Sequence, residues 1–362
     1  MKSLVRKAAL GLALAGLAAL AHAADDDSHW KFSGFGTLGA VVTNTDEAQF
    51  RTSPRQPNGA DRRPDLGVDS RLGLQASAAL DETFSAVGQL LTSRRDGDER
   101  VQVEWLFAQA AVAPWLDLRI GRMVLPAFLV SDSRNVGYAS HWVRAPGDVY
   151  GIYPATSYDG VQAELRGDWR DSHITLQASG GKSRGRAFLL GQSLEGESDG
   201  LRSLNLVVER GNWTLRAGRT CADAHLRYTQ TQQLSYADHF SGLGLARDDG
   251  RLLLQAELVW RRTSDRGLDS NNGYVTGGYR FGPWMPYATV SRNIYLGRWF
   301  GDRPSISNHA AGLRWDGWRN AALKTQLESA HSDGATFAHA SPAFMTGHGH
   351  ATVLTVLVDF VF

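Results

Sequence analysis

The side chains that could do covalent or acid–base chemistry are few and scattered. His141 is followed by Asp148, and Ser307 by His309, so each pair sets an imidazole beside an acid or a hydroxyl. General acid–base or nucleophilic catalysis needs such groups within hydrogen-bond reach, with a third group orienting the base. Neither spacing is diagnostic, and both histidines read more simply as loop or rim residues. Gly347 to His350 reads GHGH, with His339 nearby. Imidazoles of this kind hold zinc. The stretch carries no accompanying groups that would orient metal-bound histidines, so neither a metal nor another cofactor is expected. Cys221 is the single cysteine, and one thiol cannot form an internal bridge.

The abundant polar chemistry is of another kind: charges set at every second position of apolar stretches. Ala351 to Phe362 reads ATVLTVLVDFVF, with Leu354, Val356, Val358, Phe360 and Phe362 on one parity. Thr355 and Asp359 fall on the other. A period of two is a strand period. In Val68 to Leu80, Leu72, Leu74, Ala76 and Ala78 alternate with Arg71, Gln75 and Ser77, and Asp69 shares the polar parity. Trp30 to Thr43 is a glycine-rich first strand. Further strands are predicted over 83–93, 101–113, 116–123, 161–166, 174–178, 204–209, 213–217, 239–247, 251–262, 273–281, 285–295, 307–315 and 320–331. Long polar loops are expected at 44–67 and 180–200, with another long connection at 219–237.

About sixteen strands, with short turns on one side and long loops on the other, predict an all-β, antiparallel transmembrane barrel. Strands of roughly 9–11 residues suit a tilted crossing of a bilayer. In hydrocarbon an open sheet edge would leave backbone groups unsatisfied, so the sheet must close. Trp30, Trp115, Trp213, Trp260, Trp284, Trp315 and Trp318 sit near strand ends, as aromatic girdles do.

Composition agrees. Hydrophobic residues make up 43% of 362 residues, with 39 glycines. A helical membrane protein is excluded, while a barrel dilutes its apolar residues with polar ones. Lys2, Arg6 and Lys7 precede the apolar run Ala8 to Leu20 and the small residues Ala21-His22-Ala23. This predicts a secretory signal over residues 1–23, with a mature outer-membrane domain over 24–362. The near-neutral charge, 38 basic against 37 acidic residues, argues against a nucleic-acid partner.

With the apolar faces toward lipid, the interior is expected to hold Asp69, Gln75, Glu164, Arg166, Arg216, Glu257, Arg261, Arg280, Arg314, Lys324, Glu328 and Asp359. Charges of mixed sign cannot make a dry core, so the pattern predicts a water-filled lumen and a channel. The connection from Val124 to Thr156 is long and aromatic, with Phe128, Tyr138, Trp142, Tyr150 and Tyr153. It is expected to fold against the inner wall and narrow the pore, with Arg71, Arg122, Asp132, Arg134, Arg144 and Asp148 at the constriction.

With these residues in view, the chain resembles the Gram-negative general porins. The resemblance rests on the leader, the glycine-rich first strand, DSRLGLQASAAL, the Gly121-Arg122 step, the segment NVGYASHWVRAPGDVYGIYPATSYDG and the terminal Phe362. It implies a sixteen-stranded barrel, usually a homotrimer, passing small hydrophilic solutes without catalysis. It places Arg71 on a basic wall, with Asp132 and Asp148 on the inward loop. It implies contact with outer-membrane lipid and lipopolysaccharide, and recognition of the closing strand, through Phe360 and Phe362, by the barrel-assembly machinery. The sequence shows no dense arginine ladder or lysine cluster, which argues against an anion- or phosphate-specific pore. The alternatives are a channel selective for anions or small organic acids, and a plugged receptor or enzymatic barrel.

Overall fold

The structure is a computed structural model, and it describes residues 29–95, 98–153, 155–189, 192–227, 233–298, 306–331, 337–341, 344 and 349–362. Sixteen antiparallel strands close into one barrel. In chain order its first half comprises β1 (Trp30–Thr43), β3 (Arg71–Ala79), β4 (Phe84–Arg95), β5 (Asp98–Ala113), β6 (Leu116–Val124), β7 (Ser157–Trp169), β8 (Ser172–Leu189) and β9 (Gln192–Arg210). The second half comprises β10 (Trp213–Arg227), β11 (Gln233–Asp248), β12 (Leu252–Thr263), β13 (Ser270–Tyr279), β14 (Trp284–Tyr295), β15 (Ile306–Trp315), β16 (Ala321–His331) and β18 (His350–Val361). Two short strands, β2 (Gln49–Phe50) and β17 (Phe337–Ala338), pair with each other outside the barrel wall. The leader and His348 lie outside the described residues.

Each strand pairs with the next, and β1 pairs with β18 to close the ring. The seam explains why the first strand is rich in glycine. Gly36 lies opposite Phe360 in the register. A Cβ on Gly36 would sit 2.3 Å from the Phe360 ring, and one on Gly34 would sit 2.3 Å from the Phe362 ring. The two rings stack on each other, 6.3 Å apart. Two aromatic side chains thus lie flat over bare backbone, and the ladder continues as Gly34 N–H donates to the Phe362 carbonyl at 2.8 Å.

Alternation sorts the wall as expected. On β18, Val353, Thr355, Leu357 and Asp359 are buried, while Leu354 and Val356 are exposed on the outer surface. Trp30, Trp115, Trp213, Trp284 and Trp318 are exposed near the short turns, and Trp315 packs between Trp284 and Trp318. Trp260 lies toward the long-loop end of β12.

Two expected long connections are strand instead. Residues 180–200 belong almost wholly to β8 and β9, and 219–237 largely to β10 and β11, with Cys221 inside β10. Ala222, Ala224, Leu194 and Tyr236 are buried on the inner face of these upper segments, but their outward parity has no apolar stripe to mark it. Cross-strand ion pairs replace it: Arg184 with Glu197 at 3.1 Å and Arg186 with Glu195 at 3.1 Å. Opposite charges directly across a ladder stabilise a sheet without lipid or core contact.

Candidate pore lining and constriction

The long third connection lies inside the barrel. Its aromatic residues account for this. Phe128 packs edge-on against Phe240 at 5.2 Å, and Trp142 against Tyr274 at 5.6 Å. Tyr153 lies 5.1 Å from Phe240. Trp142 is 2% exposed, so this polar-lined barrel contains a genuine apolar core on one side. The buried Trp142 Nε1–H donates to Thr276 at 3.0 Å and to Thr289 at 3.2 Å, which satisfies the indole. A short helix, α1 (Gly147–Tyr150), ends the inserted stretch.

Most of the wall charges expected to face water are used to seat this loop. Lys324 is fully buried; its Nζ pairs with Asp359 at 2.8 Å and donates to the carbonyls of Gly137, Ser140 and Trp142 at 2.6–2.9 Å. Asp359 also accepts from Thr37 at 2.5 Å. Arg314 donates to the carbonyls of Tyr138 and Ser140 and pairs with Asp316. Glu257 accepts from the Leu129 N–H at 2.8 Å and the Tyr150 hydroxyl at 2.9 Å. Arg216 donates to the Pro126 carbonyl and lies 3.7 Å from Glu257. Arg261 pairs with Asp238 and donates to the Ile152 carbonyl. The expectation that these charges face water is therefore corrected on this side of the barrel. Burial is tolerated because each charge meets an opposite charge or a loop carbonyl.

The other side keeps a polar wall of its own. Glu164 binds Arg119, Arg166 and Gln177, while Arg166 also reaches Asp117. Gln89 donates to Gln75 at 2.9 Å. Arg280 pairs with Asp248 at the short-turn rim, away from the loop.

The six residues expected at the constriction separate. Arg71 projects inward, reaching Thr37 and the Arg134 carbonyl. Arg144, on the loop, bridges Asp69 at 2.6 Å, Glu328 at 2.8 Å and Thr355 at 2.5 Å, with Phe50 beneath its guanidinium at 5.1 Å. Asp148 faces the far wall, held by Ser291 and Asn308. Asp132 is exposed on the loop, in the field of Arg119, Glu164 and Arg216. Arg122 is a correction. It lies on the outer surface with Leu118 and Ile120, paired with Asp159 at 2.8 Å. Strand parity, not nearness to the loop, decides where it points. The chain before it approaches β5 closely: a Cβ on Gly121, whose φ is 133°, would lie 2.2 Å from the Leu106 carbonyl oxygen.

The first long connection, read from sequence only as polar, also folds inward. Phe50, Ala48, Ala60 and Val68 pack with Phe337, Phe344, Val41 and Val353. The Pro54 carbonyl accepts from the Phe188 N–H of β8, so this loop reaches across the mouth to another strand. It carries Arg55 and Gln56 into a recess that also contains Arg71, Arg94, Arg95, Arg134 and Arg144. Around Arg134, burial and then the Arg95 guanidinium push its pKa down to about 10. His141 stacks on Trp142, and burial followed by Lys324 holds its pKa well below the ordinary value. Among the described residues no hydrogen bond or ion pair joins it to Asp148, which is held by Ser291 and Asn308, so the candidate acid–base pair does not form. Among the described residues, no cluster of ligating side chains could hold a metal.

No protein-family model matches the sequence, and no curated protein does. Solved structures do. The chain is similar to OmpF of Salmonella typhi, solved with daunomycin, at 13% identity and a TM-score of 0.61, over 92% of this chain and 97% of that one. It is similar to OmpT of Vibrio cholerae in its trimer form, at 12% identity and a TM-score of 0.60, over 92% and 99%. It is similar to an anion-selective porin of Comamonas acidovorans, at 14% identity and a TM-score of 0.58, over 92% and 99%. At such identities the likeness concerns the fold, which is that of the outer-membrane porins.

Proposed function

We propose that this protein is a porin-like channel of a Gram-negative outer membrane, passing small hydrophilic solutes by passive diffusion. The observation that carries the reading is the division of the barrel interior. One side is filled by the third loop, and the other retains a charged and amide-lined wall from Gln75 to Arg166. Along that second wall the Arg166 and Arg119 side chains keep 37% and 21% of their surface exposed, so the loop does not cover it. A loop packed on one side leaves a narrowed passage whose size and charge select solutes.

The outer surface supports the rest of the proposal. Lys182, Arg202 and Arg219 are exposed beyond the apolar part of β8, β9 and β10, a placement that suits contact with the phosphates of lipopolysaccharide. Phe360 and Phe362, stacked over bare glycine at the seam, present a surface for the assembly machinery. The neighbour solved as a trimer supports a homotrimer. Export through a cleaved leader over 1–23 completes the proposal.

The test is conductance of refolded protein in a planar bilayer. Discrete, long-lived open steps are expected, with closures in threes for a trimer. Persistent silence from folded, inserted protein would overturn the channel reading in favour of a plugged receptor.

A further inference from the structure

The recess beside the inserted loop collects arginines from three separate parts of the chain. Arg55 comes from the first loop, Arg71, Arg94 and Arg95 from β3 and β4, and Arg134 and Arg144 from the third loop. One carboxylate, Asp69, shares the lining. Three more stand behind it as partners: Asp65 on Arg94, Glu104 on Arg95 and Glu328 on Arg144. Setting Arg55 aside, five guanidiniums stand against these four carboxylates among the described residues.

The excess is localised. Arg144 and Arg95 are structural, since each is bound to a carboxylate that also fixes the loop or its neighbour; Glu104, for example, accepts from Asn135 at 2.9 Å. Arg71 and Arg134 are different. Among the described residues, neither has a carboxylate within ion-pair distance, and Arg71 is anchored only by the Thr37 hydroxyl and the Arg134 carbonyl. The two loop acids that could have neutralised them are turned elsewhere. Asp148 is consumed by Ser291 and Asn308, and among the described residues Asp132 forms no ion pair with either arginine. Crowding like charges together is unfavourable in the empty recess, and a bound anion would offset that repulsion. The hydroxyl-bearing Ser93 and Ser133 lie in the same lining and add neutral donors.

We infer that this recess is a binding subsite for a small oxyanion, a carboxylate or phosphate ester, on the permeation path. The guanidinium fork matches such oxygens two at a time, which a chloride ion cannot exploit. The inference rests on the channel reading and adds the class of solute. It also revises the sequence expectation against an anion-selective pore, because the cluster is assembled from two loops and two strands and is invisible as a run.

The experiment has two readouts. In a planar bilayer under a potassium chloride gradient, the reversal potential should show anion preference. Inorganic phosphate added to one side should reduce the chloride current in a saturable way, and malonate should do the same. In detergent solution, calorimetric titration with inorganic phosphate should show saturable binding. Arg71→Gln with Arg134→Gln should weaken phosphate binding and current inhibition about tenfold, the loss expected for charge-assisted contacts. The double lysine variant, R71K/R134K, should retain anion preference while losing part of the phosphate inhibition. Arg122→Gln, on the outer surface, should change neither. Open steps with cation preference, or phosphate effects unchanged in R71Q/R134Q, would overturn the subsite while leaving the channel intact. Silence in the bilayer would count against the channel alone, and calorimetry would still decide the subsite, with no saturable heat from folded protein overturning it.

Discussion

Replacing Lys324 by methionine should unseat the third loop. The substitution keeps the length of the side chain and removes the ammonium. Lys324 and Asp359 are both fully buried, and their pair is 2.8 Å long. Removing one member of a buried pair typically costs about 3–5 kcal/mol, because the other charge is stranded. Here the carbonyls of Gly137, Ser140 and Trp142 lose a donor as well. Asp359 keeps its bond from Thr37, which argues for the lower figure, about 3 kcal/mol. Arg144 and Arg314 still hold the loop, so the loss should appear as local opening rather than unfolding of the barrel. At about 1.4 kcal/mol per tenfold, opening should become on the order of a hundred times more frequent. Open-channel current noise and protease cleavage within residues 133–146 both report it. A double variant, K324M/D359L, should recover part of the loss, since no charge is left stranded. Two results would refute the reasoning: K324M with wild-type noise and protease resistance, or a double variant more disturbed than the single one.

Other consequences are equally direct. His141 is held neutral in the folded protein, while in the unfolded chain it titrates near its ordinary value of about 6.5. Above that value both states are neutral and the residue has no effect; below it the unfolded state gains a proton that the folded state refuses, so stability falls with pH. His141→Phe should therefore lose less denaturant resistance than the native protein between pH 7 and pH 5, and equal pH slopes would contradict this. Gly36→Val should impair closure, because its side chain would enter the Phe360 ring; pairing it with Phe360→Ala should restore heat resistance on gels, and failure to restore would locate the fault elsewhere. On the outer surface, Arg122→Leu strands Asp159, whereas R122L/D159L removes both charges. The double variant should be at least as heat-stable as the native barrel, and the single variant less so, as measured in lipid vesicles.

The parts of the fold legible in sequence are those where alternation is apolar against polar. From β12 through β18 the strand ends agree within a few residues, because lipid on one side and loop on the other impose a period of two. The upper halves of β8 to β11 were not legible, since paired charges replace apolar residues on the outward face and the inward contrast rests on small residues such as Ala222 and Ala224. Arg122 shows the converse: alternation through Leu118 and Ile120 already placed it outward, and its closeness to the long loop is irrelevant to its direction. For the loop, Phe128, Trp142 and Tyr153 announced burial, but only the partners on β11 and β13 say where. The first loop carried weaker marks, Phe50 and Ala60 among prolines and arginines.

Features that depend on nearest neighbours along the chain were determined by the sequence alone. They include strand period, the inner and outer parity of each strand, the side with short turns, and the need for ring closure in a membrane. Tertiary structure alone decided which charges would meet. Lys324 and Asp359 are adjacent only because β16 pairs with β18, and Arg55, Arg71 and Arg134 converge only because two loops fold into one lumen. Electrostatic energy depends on separation in space and on access to water, and neither is a function of separation along a chain.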